Sequence, residues 1–107
     1  MAATLSIEGE LDVLSREELA WRLHDLDRVA CSTVRLDVAR VSYIDVRCLR
    51  LIDQARKRFT LRGQRLELSA SSVCFALVAR AAGYTSLAAE ADQVTTVAEP
   101  TPPPVAA

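Results

Sequence analysis

The stretch VSYIDVRCLRLIDQARKRF, residues 41–59, contains the end of a strand, a turn and a basic helix. Asp45 stands where an N-cap carboxylate accepts a backbone N–H of a starting helix. Apolar residues then recur at helical spacing, at Leu49, Ile52, Ala55 and Phe59. Arg47 breaks a rule, because a cation in the first turn opposes the helix dipole. The stretch therefore predicts a strand–Asp–helix junction with an unusual arginine in it.

Three strands are predicted around this helix. Residues 33–44, TVRLDVARVSYI, alternate apolar and charged side chains and lead into the junction. Gly63 is a natural residue to end the helix, and residues 65–70, RLELSA, follow as a strand. Residues 4–12, TLSIEGELD, form a first strand. Since each intervening helix is long enough for a right-handed crossover, we expect an α/β domain with a largely parallel sheet.

The first helix is predicted from its capping signals. Ser15 and Glu18 have the spacing of a capping box, and Leu14 and Leu19 that of a hydrophobic staple. We expect this helix to continue to about Ala30.

A third helix is predicted to begin at Ser71 or Ser72 and to end before Gly83. Its predicted buried positions are Val73, Leu77, Val78 and Ala81. After Leu87 the pattern decays, and the sequence leaves open a short strand or a helical turn.

The end of the chain is predicted to lie outside the domain. We expect the domain to span residues 1–90, followed by a C-terminal segment at residues 91–107. Residues 99–107, EPTPPPVAA, are Pro-rich and offer nothing to bury, so we expect them to be disordered.

The composition is that of one small soluble domain. The chain has 107 residues, half of them hydrophobic and a quarter charged. No apolar run approaches the roughly 18–20 residues that cross a bilayer, and no signal peptide is evident at the start. The three cysteines form neither a disulfide framework nor a metal spacing. We expect a reduced, cytoplasmic protein that does not insert into a membrane.

Charge is unevenly distributed along the chain. The net charge is −1, but residues 46–65 carry seven basic residues against Asp53 alone. A solvated helix face, a surface for an acidic protein partner and a nucleic-acid contact remain open. Few aromatic residues and an acidic pI argue against nucleic acid.

The motifs of enzymes are missing. His24 is the single histidine, and neither a phosphate-binding loop nor a dinucleotide fingerprint occurs. Cys48 lies in a first turn beside Arg47, which would lower the pKa of an exposed thiol. We favour packing over a redox role for Cys48, and we expect no enzyme, no metal and no cofactor.

Four segments together resemble the STAS domain of bacterial anti-sigma factor antagonists. They are GELD at residues 9–12, VRLDVARVSYID at 34–45, RGQRLEL at 62–68 and SSVCFALVARAAGYTSL at 71–87. The resemblance covers about residues 5–87. It implies a mainly parallel four-stranded sheet, with a fifth strand left open, covered by about three to four helices. In that family the loop after the strand-end Asp, with the helix that follows, docks on an anti-sigma factor that is a kinase-like ATPase.

The resemblance also points to a switch that this chain lacks. The family reads Asp-Ser-Ser-Gly at the docking loop, and phosphorylation of the second serine releases the kinase-like partner and so controls the sigma factor. This sequence reads Asp45-Val46-Arg47-Cys48. Because arginine cannot accept phosphate, we expect partner binding without phospho-control at Arg47. Alternatives are control at another hydroxyl (Ser42, Thr33, Ser71 or Ser72) and a scaffold or regulatory subunit in a transporter or other signalling complex.

The resemblance and the basic segment together define a predicted partner-binding surface. Its residues are Asp12, Ser42, Asp45, Val46, Arg47, Cys48 and Arg50. We expect this surface to bind an acidic protein face. The competing interpretation is local, with Arg47 paired to Asp45 or Asp12. A nucleotide-binding α/β protein is a further alternative, and a homodimer is left open.

Overall fold

The computed structural model of the protein describes residues 2–95. The elements in chain order are β1 (Ala2–Leu11), α1 (Arg16–Asp25), a 3-10 turn (Leu26–Arg28), β2 (Thr33–Ile44), α2 (Val46–Leu61), β3 (Arg65–Ser71), α3 (Val73–Ala81) and α4 (Thr85–Val94). Strands and helices alternate as far as α3, as the sequence predicts. The predicted disordered segment, residues 99–107, lies outside the described residues.

The sheet has three parallel strands in the order β1-β2-β3, with β2 in the centre. The expectation of four strands, or five, is therefore wrong for the described part of the chain. The number four came from the resemblance to relatives, and the segment after Leu87, where the sequence left a further short strand open, continues as α4. After α4, Thr95 makes a single parallel bridge to Ser71.

One face of the sheet is buried and the other faces solvent. Along β2, Val34, Leu36 and Val38 are fully buried and alternate with Arg35 and Asp37. Parallel sheets are usually covered on both faces, so this open polar face is an exception. The molecule is therefore a two-layer α/β structure with its core between the sheet and the helices.

Helix α2 forms as predicted. Asp45 caps it, and the Asp45 Oδ1 atom accepts a hydrogen bond from the Cys48 backbone N–H at 2.8 Å. The four predicted apolar positions, Leu49, Ile52, Ala55 and Phe59, are fully buried. Gly63 has a φ of +73°, a left-handed conformation that suits a glycine just beyond a helix. The fold-deciding junction was thus predicted down to individual residues.

Helix α1 begins differently from the prediction. The Ser15 hydroxyl accepts from the Asp12 N–H at 2.9 Å and donates to the Glu10 carbonyl at 2.9 Å, so it caps no helical N–H. Leu14 is 88% exposed and staples nothing. The predicted capping box and staple are therefore wrong, because Asp12 organises this turn. The helix also ends earlier than predicted, at Asp25.

Helix α3 begins as predicted but buries a different face. Ser72 is its N-cap and accepts from the Phe75 N–H at 3.1 Å. Val73, Leu77 and Ala81 were expected inside, yet Val73 and Leu77 are 54% and 56% exposed and Ala81 is exposed as well. The helix packs instead through Phe75, Ala76 and Ala79. Since VCFALVARA is apolar on nearly every face, its sequence periodicity does not fix which face is buried.

Helix α4 closes the outer edge of β3. The Glu90 Oε1 atom accepts a hydrogen bond from the Leu68 backbone N–H at 2.6 Å. The other Glu90 oxygen pairs with Arg56 on α2. A second ion pair, between Arg80 and Asp92, joins α3 to α4. Helix α4 runs past residue 90, where the sequence predicts the domain to end.

Candidate functional site

The three junctions from strand to helix lie at one edge of the molecule, because the strands are parallel and each helix starts at a carboxyl end. The Asp45 N–H donates to the Leu11 carbonyl at 3.0 Å and so joins the second junction to the first. The Ser72 N–H donates to the Val38 carbonyl at 3.1 Å and joins the third junction to β2. Backbone hydrogen bonds therefore connect the junctions to neighbouring strands without the help of side chains.

Both aspartates of the predicted surface are bonded to backbone N–H groups. Asp45 caps α2, as described above. Asp12 Oδ1 accepts from the Leu14 N–H at 2.9 Å and from the Ser15 N–H at 3.3 Å. The two carboxylates therefore hold the conformation of the two loops. The exposed charges of the predicted surface are those of Arg47 and Arg50.

Cys48 is fully buried between these loops. Its Sγ donates to the Asp12 carbonyl at 3.7 Å, which ties the Asp45 junction to the Asp12 turn. Burial, together with the hydrogen bond and negative charge of Asp45, raises the pKa of the Cys48 thiol to about 12. The thiol is therefore neutral at physiological pH, which supports the packing interpretation over a redox role. The Cys48 side chain is no part of the exposed surface.

Val46, Arg47 and Arg50 form the exposed part of the predicted surface. Val46 is 54% exposed, and both arginines are exposed on the outer side of the first turns of α2. Within residues 2–95 neither arginine takes part in an ion pair or a side-chain hydrogen bond. The alternative in which Arg47 pairs with Asp45 or Asp12 is therefore wrong.

Each of the remaining basic residues of this segment pairs with an acidic residue of the same chain. Asp27 lies within 3.1 Å of Arg62 and 3.4 Å of Arg58, although the Arg58 Nε is not aligned for a hydrogen bond. The other pairs are Arg56 with Glu90, Lys57 with Asp53 and Arg65 with Glu67. Within residues 2–95 the basic segment therefore leaves two unpaired cations, Arg47 and Arg50, and both lie just after Asp45 at the start of α2.

Three residues that sequence analysis missed belong to this edge. Val13 and Leu14, in the turn after β1, are 63% and 88% exposed. Arg16 lies close enough for its charge to act on the Cys48 thiol. The only signal in the sequence was the pair of apolar residues directly after GELD, and the staple interpretation explained that pair differently.

Ser42 lies apart from this constellation. It is an exposed residue within β2, two positions before the strand ends, and no side-chain hydrogen bond holds it within residues 2–95. Of the other candidate hydroxyls, Thr33 is half-buried at the opposite end of β2, Ser71 is fully buried and Ser72 is used as a helix cap. Ser42 is therefore the most accessible of these four.

The side chains gathered at this edge are two carboxylates bonded to backbone N–H groups, a buried thiol and two exposed arginines. Among residues 2–95 there is no group of three or more His, Cys, Asp or Glu side chains placed to hold a metal ion. None of the helices in the described segment has both the length and the apolar character needed to cross a bilayer.

Comparison with known proteins agrees with this architecture. The family described as Mlab, STAS domain matches residues 1–94. No curated protein matches the sequence significantly. The unphosphorylated anti-sigma factor antagonist SpoIIAA is similar in structure, with a TM-score of 0.66, 18% identity, and coverage of 83% of this chain and 76% of that chain.

Two transporter-associated structures are similar to nearly the same degree. The STAS domain of a SulP transporter from Vibrio cholerae has a TM-score of 0.64 and 14% identity, covering 88% of this chain and 71% of that chain. A sulfate transporter family protein from Wolinella succinogenes has a TM-score of 0.63 and 19% identity, covering 88% and 75%. At these identities the likeness shows a shared fold, and with a family match over most of its length the chain belongs to the STAS domain family.

Proposed function

We propose that the protein is a non-enzymatic docking module that binds an anti-sigma factor of the kinase-like ATPase class through the Asp45 junction. The observation that carries this proposal is a pair of exposed arginines at the start of α2, Arg47 and Arg50, which have no ion-pair partner among residues 2–95. Exposed Val13, Leu14 and Val46 supply apolar area beside them. An apolar centre with a charged rim is typical of specific protein interfaces.

The charge of this surface defines the partner. The acids of the two loops are occupied by backbone N–H groups, whereas Arg47 and Arg50 are free to pair outward. The complementary partner face carries carboxylates around an apolar patch. Such pairing steers the encounter and rejects basic surfaces, and it weakens as the salt concentration rises.

Binding in this proposal is not switched at the loop. Arg47 has no hydroxyl to phosphorylate, and its positive charge is opposite to that of a phosphoserine, so it does not mimic the phosphorylated state. The partner therefore stays bound whenever it is present, unless a hydroxyl elsewhere, such as Ser42, takes over control.

A second candidate function is a scaffold or regulatory subunit of a transporter complex. The observation in its favour is the similarity to two transporter STAS structures, whose TM-scores of 0.64 and 0.63 are close to the 0.66 of the antagonist. The same surface would then bind a transporter component with an acidic docking face.

Affinity purification from the native cell separates these functions. The bait is the tagged full chain, and the matched bait carries Arg47→Glu and Arg50→Glu. A control bait carries Lys57→Glu, because Lys57 is exposed on the same helix but pairs with Asp53 at 3.1 Å. The proposal expects one protein to be recovered by the wild-type and control baits and lost with the double variant.

The identity of that protein decides the outcome. A kinase-like ATPase that binds a sigma factor supports the first function, and a transporter component supports the second. Recovery of the same protein with all three baits contradicts the surface assignment. Incubation of the recovered partner with the chain and ATP, followed by mass spectrometry, is expected to leave residues 45–48 unmodified.

A further inference from the structure

Helix α1 exposes a row of four side chains that the docking surface does not include. Glu17, Trp21, His24 and Arg28 follow one another at intervals of four, three and four residues, and all four are exposed. Arg28 lies in the 3-10 turn that continues α1. Such intervals bring residues to one side of a helix, so the row forms a single outward strip, called the α1 strip below.

Trp21 is the central feature of the α1 strip. Its side chain is 64% exposed in a chain that has one tryptophan. Together with Ala20 and His24 it lines a shallow hollow of about 370 Å³. Tryptophan is the residue type most enriched among the anchors of protein interfaces, and leaving its ring in water has a free-energy cost.

The α1 strip is complementary to itself. Its spacing reads the same in both directions about a point between Arg22 and Leu23. When two copies of α1 pack antiparallel about this point, Glu17 of each copy faces Arg28 of the other. Within the described residues neither Glu17 nor Arg28 has an ion-pair partner in its own chain, so both are free for this pairing.

The same packing places aromatic side chains in the centre. Trp21 of each copy faces His24 of the other, and the hollow beside Ala20 receives the opposite indole ring. His24 is already oriented, because its Nδ1 lies 3.5 Å from Asp27 Oδ2. Two ion pairs therefore flank two aromatic contacts, with the same residues contributed by both copies, as a two-fold interface requires.

We propose that α1 strips of two copies pair antiparallel and form a homodimer on a face separate from Arg47 and Arg50. The strip is about 17 Å long at 1.5 Å per helical residue, so the interface belongs to the small, transient class. We expect a dissociation constant on the order of 100 µM.

Sedimentation equilibrium of the full chain over a concentration series tests this proposal. The wild-type chain is expected to shift from monomer to dimer, and Trp21→Ala to raise the dissociation constant by about tenfold or more. Glu17→Arg and Arg28→Glu are each expected to weaken the dimer to a similar degree, because each places like charges opposite one another.

The decisive measurement mixes the two charge variants. A Glu17→Arg chain and an Arg28→Glu chain are complementary to each other, so their mixture is expected to dimerise about as well as the wild type. Glu18→Arg is the matched control, since it makes the same charge change one residue away from the strip. It is expected to dimerise like the wild type, as is the Arg47→Glu, Arg50→Glu chain.

Three results overturn the proposal. The first is a wild-type chain that stays monomeric up to millimolar concentration. The second is a dimer that Trp21→Ala and Glu18→Arg weaken equally. The third is a mixture of the two charge variants that fails to dimerise. Circular dichroism of every variant checks folding, which these exposed positions are expected to preserve. The result is independent of partner docking, because the two surfaces share no residue.

Discussion

The two ends of α2 use the same residue type for opposite purposes. At the amino end, Arg47 and Arg50 are exposed and unpaired within the described structure. Toward the carboxyl end, Arg56, Arg58 and Arg62 are each paired with an acid from another part of the chain. A count of charges along the sequence does not distinguish the two ends. In the fold, the arginines of the carboxyl end are paired with acids, and those of the amino end are exposed to solvent.

The difference comes from acids that are remote in sequence. Asp27, just after α1, pairs with Arg58 of α2 and with Arg62, the residue that follows α2, and Glu90 on α4 pairs with Arg56. Among residues 2–95 no acid pairs with the arginines of the amino end, and the nearby aspartates, Asp12 and Asp45, are bonded to backbone N–H groups. The surface charge of this protein is therefore decided by where the helices place their carboxylates.

The largest expected effect is on partner binding. If the amino end of α2 is the docking end, Arg47→Glu places a like charge against an acidic partner face. We expect the affinity to fall about thirtyfold or more, which corresponds to roughly 2 kcal/mol or more. Isothermal titration against the recovered partner measures this change.

The control for this prediction lies on the same helix. Lys57→Glu is expected to change the affinity by less than about threefold, because exposed ion pairs of this kind contribute little. Equal losses from Arg47→Glu and Lys57→Glu would show that the partner senses overall charge, and the contrast between the two ends would disappear.

At the carboxyl end of α2, loss of an ion pair is expected to lower the stability of the fold. Asp27→Asn removes the charge that faces Arg58 and Arg62 and leaves the half-buried Arg58 without an acid. We expect a loss of about 2 kcal/mol in the free energy of unfolding, with partner binding unchanged. Urea denaturation measures it. Asp25→Asn, at an exposed acid without an ion pair in the described chain, is expected to stay within about 0.5 kcal/mol of the wild type.

The N-cap at the amino end of α2 is expected to contribute less to stability than Asp27 does. Asp45→Ala removes the hydrogen bond to the Cys48 N–H and is expected to cost about 1 kcal/mol in the free energy of unfolding. Asp45→Asn keeps a capping oxygen and is expected to cost less. If both variants unfold at the same urea concentration, the Asp45 charge, and not the cap, stabilises the junction.

The smallest predicted effect has the opposite sign. Arg47→Glu removes a cation from the first turn of α2 and supplies an anion that favours the helix dipole. We expect the free protein to be stabilised by about 0.5 kcal/mol. If Arg47→Glu raises the melting temperature and abolishes binding, Arg47 serves partner binding at a cost to the stability of the free protein. A lower melting temperature would indicate an internal contact of Arg47.

Sequence analysis succeeded where one pattern had one interpretation. The run from Asp45 to Phe59 combines a cap with apolar positions on a single face, so its helix and its buried residues followed directly. It failed in α3, where Val73 and Leu77 are as apolar as the buried Phe75 and only packing against β2 and α4 selects the face. The number of strands failed because it was inferred from relatives and not from segments of this chain.

The residues of the proposed docking surface were predictable in part. Asp45, Arg47 and Arg50 were found from a local rule and a resemblance, and the structure brings Asp12 beside them. Val13 and Leu14 were missed because sequence spacing does not reveal the turn at Asp12. The Asp12 carboxylate accepts hydrogen bonds from the Leu14 and Ser15 N–H groups, and Leu14 is exposed in that turn. The pairing of Arg58 with Asp27 joins residues far apart in sequence, so only the fold shows it.

The contact between Glu90 and the Leu68 N–H also bears on how the protein behaves at high concentration. An unprotected outer strand of a sheet is a template on which other molecules add strands, which leads to aggregation. Here a charged side chain occupies a donor of β3 that an incoming strand would need. Glu90→Ala is therefore expected to leave the fold in place and to shorten the time before the protein forms fibrils.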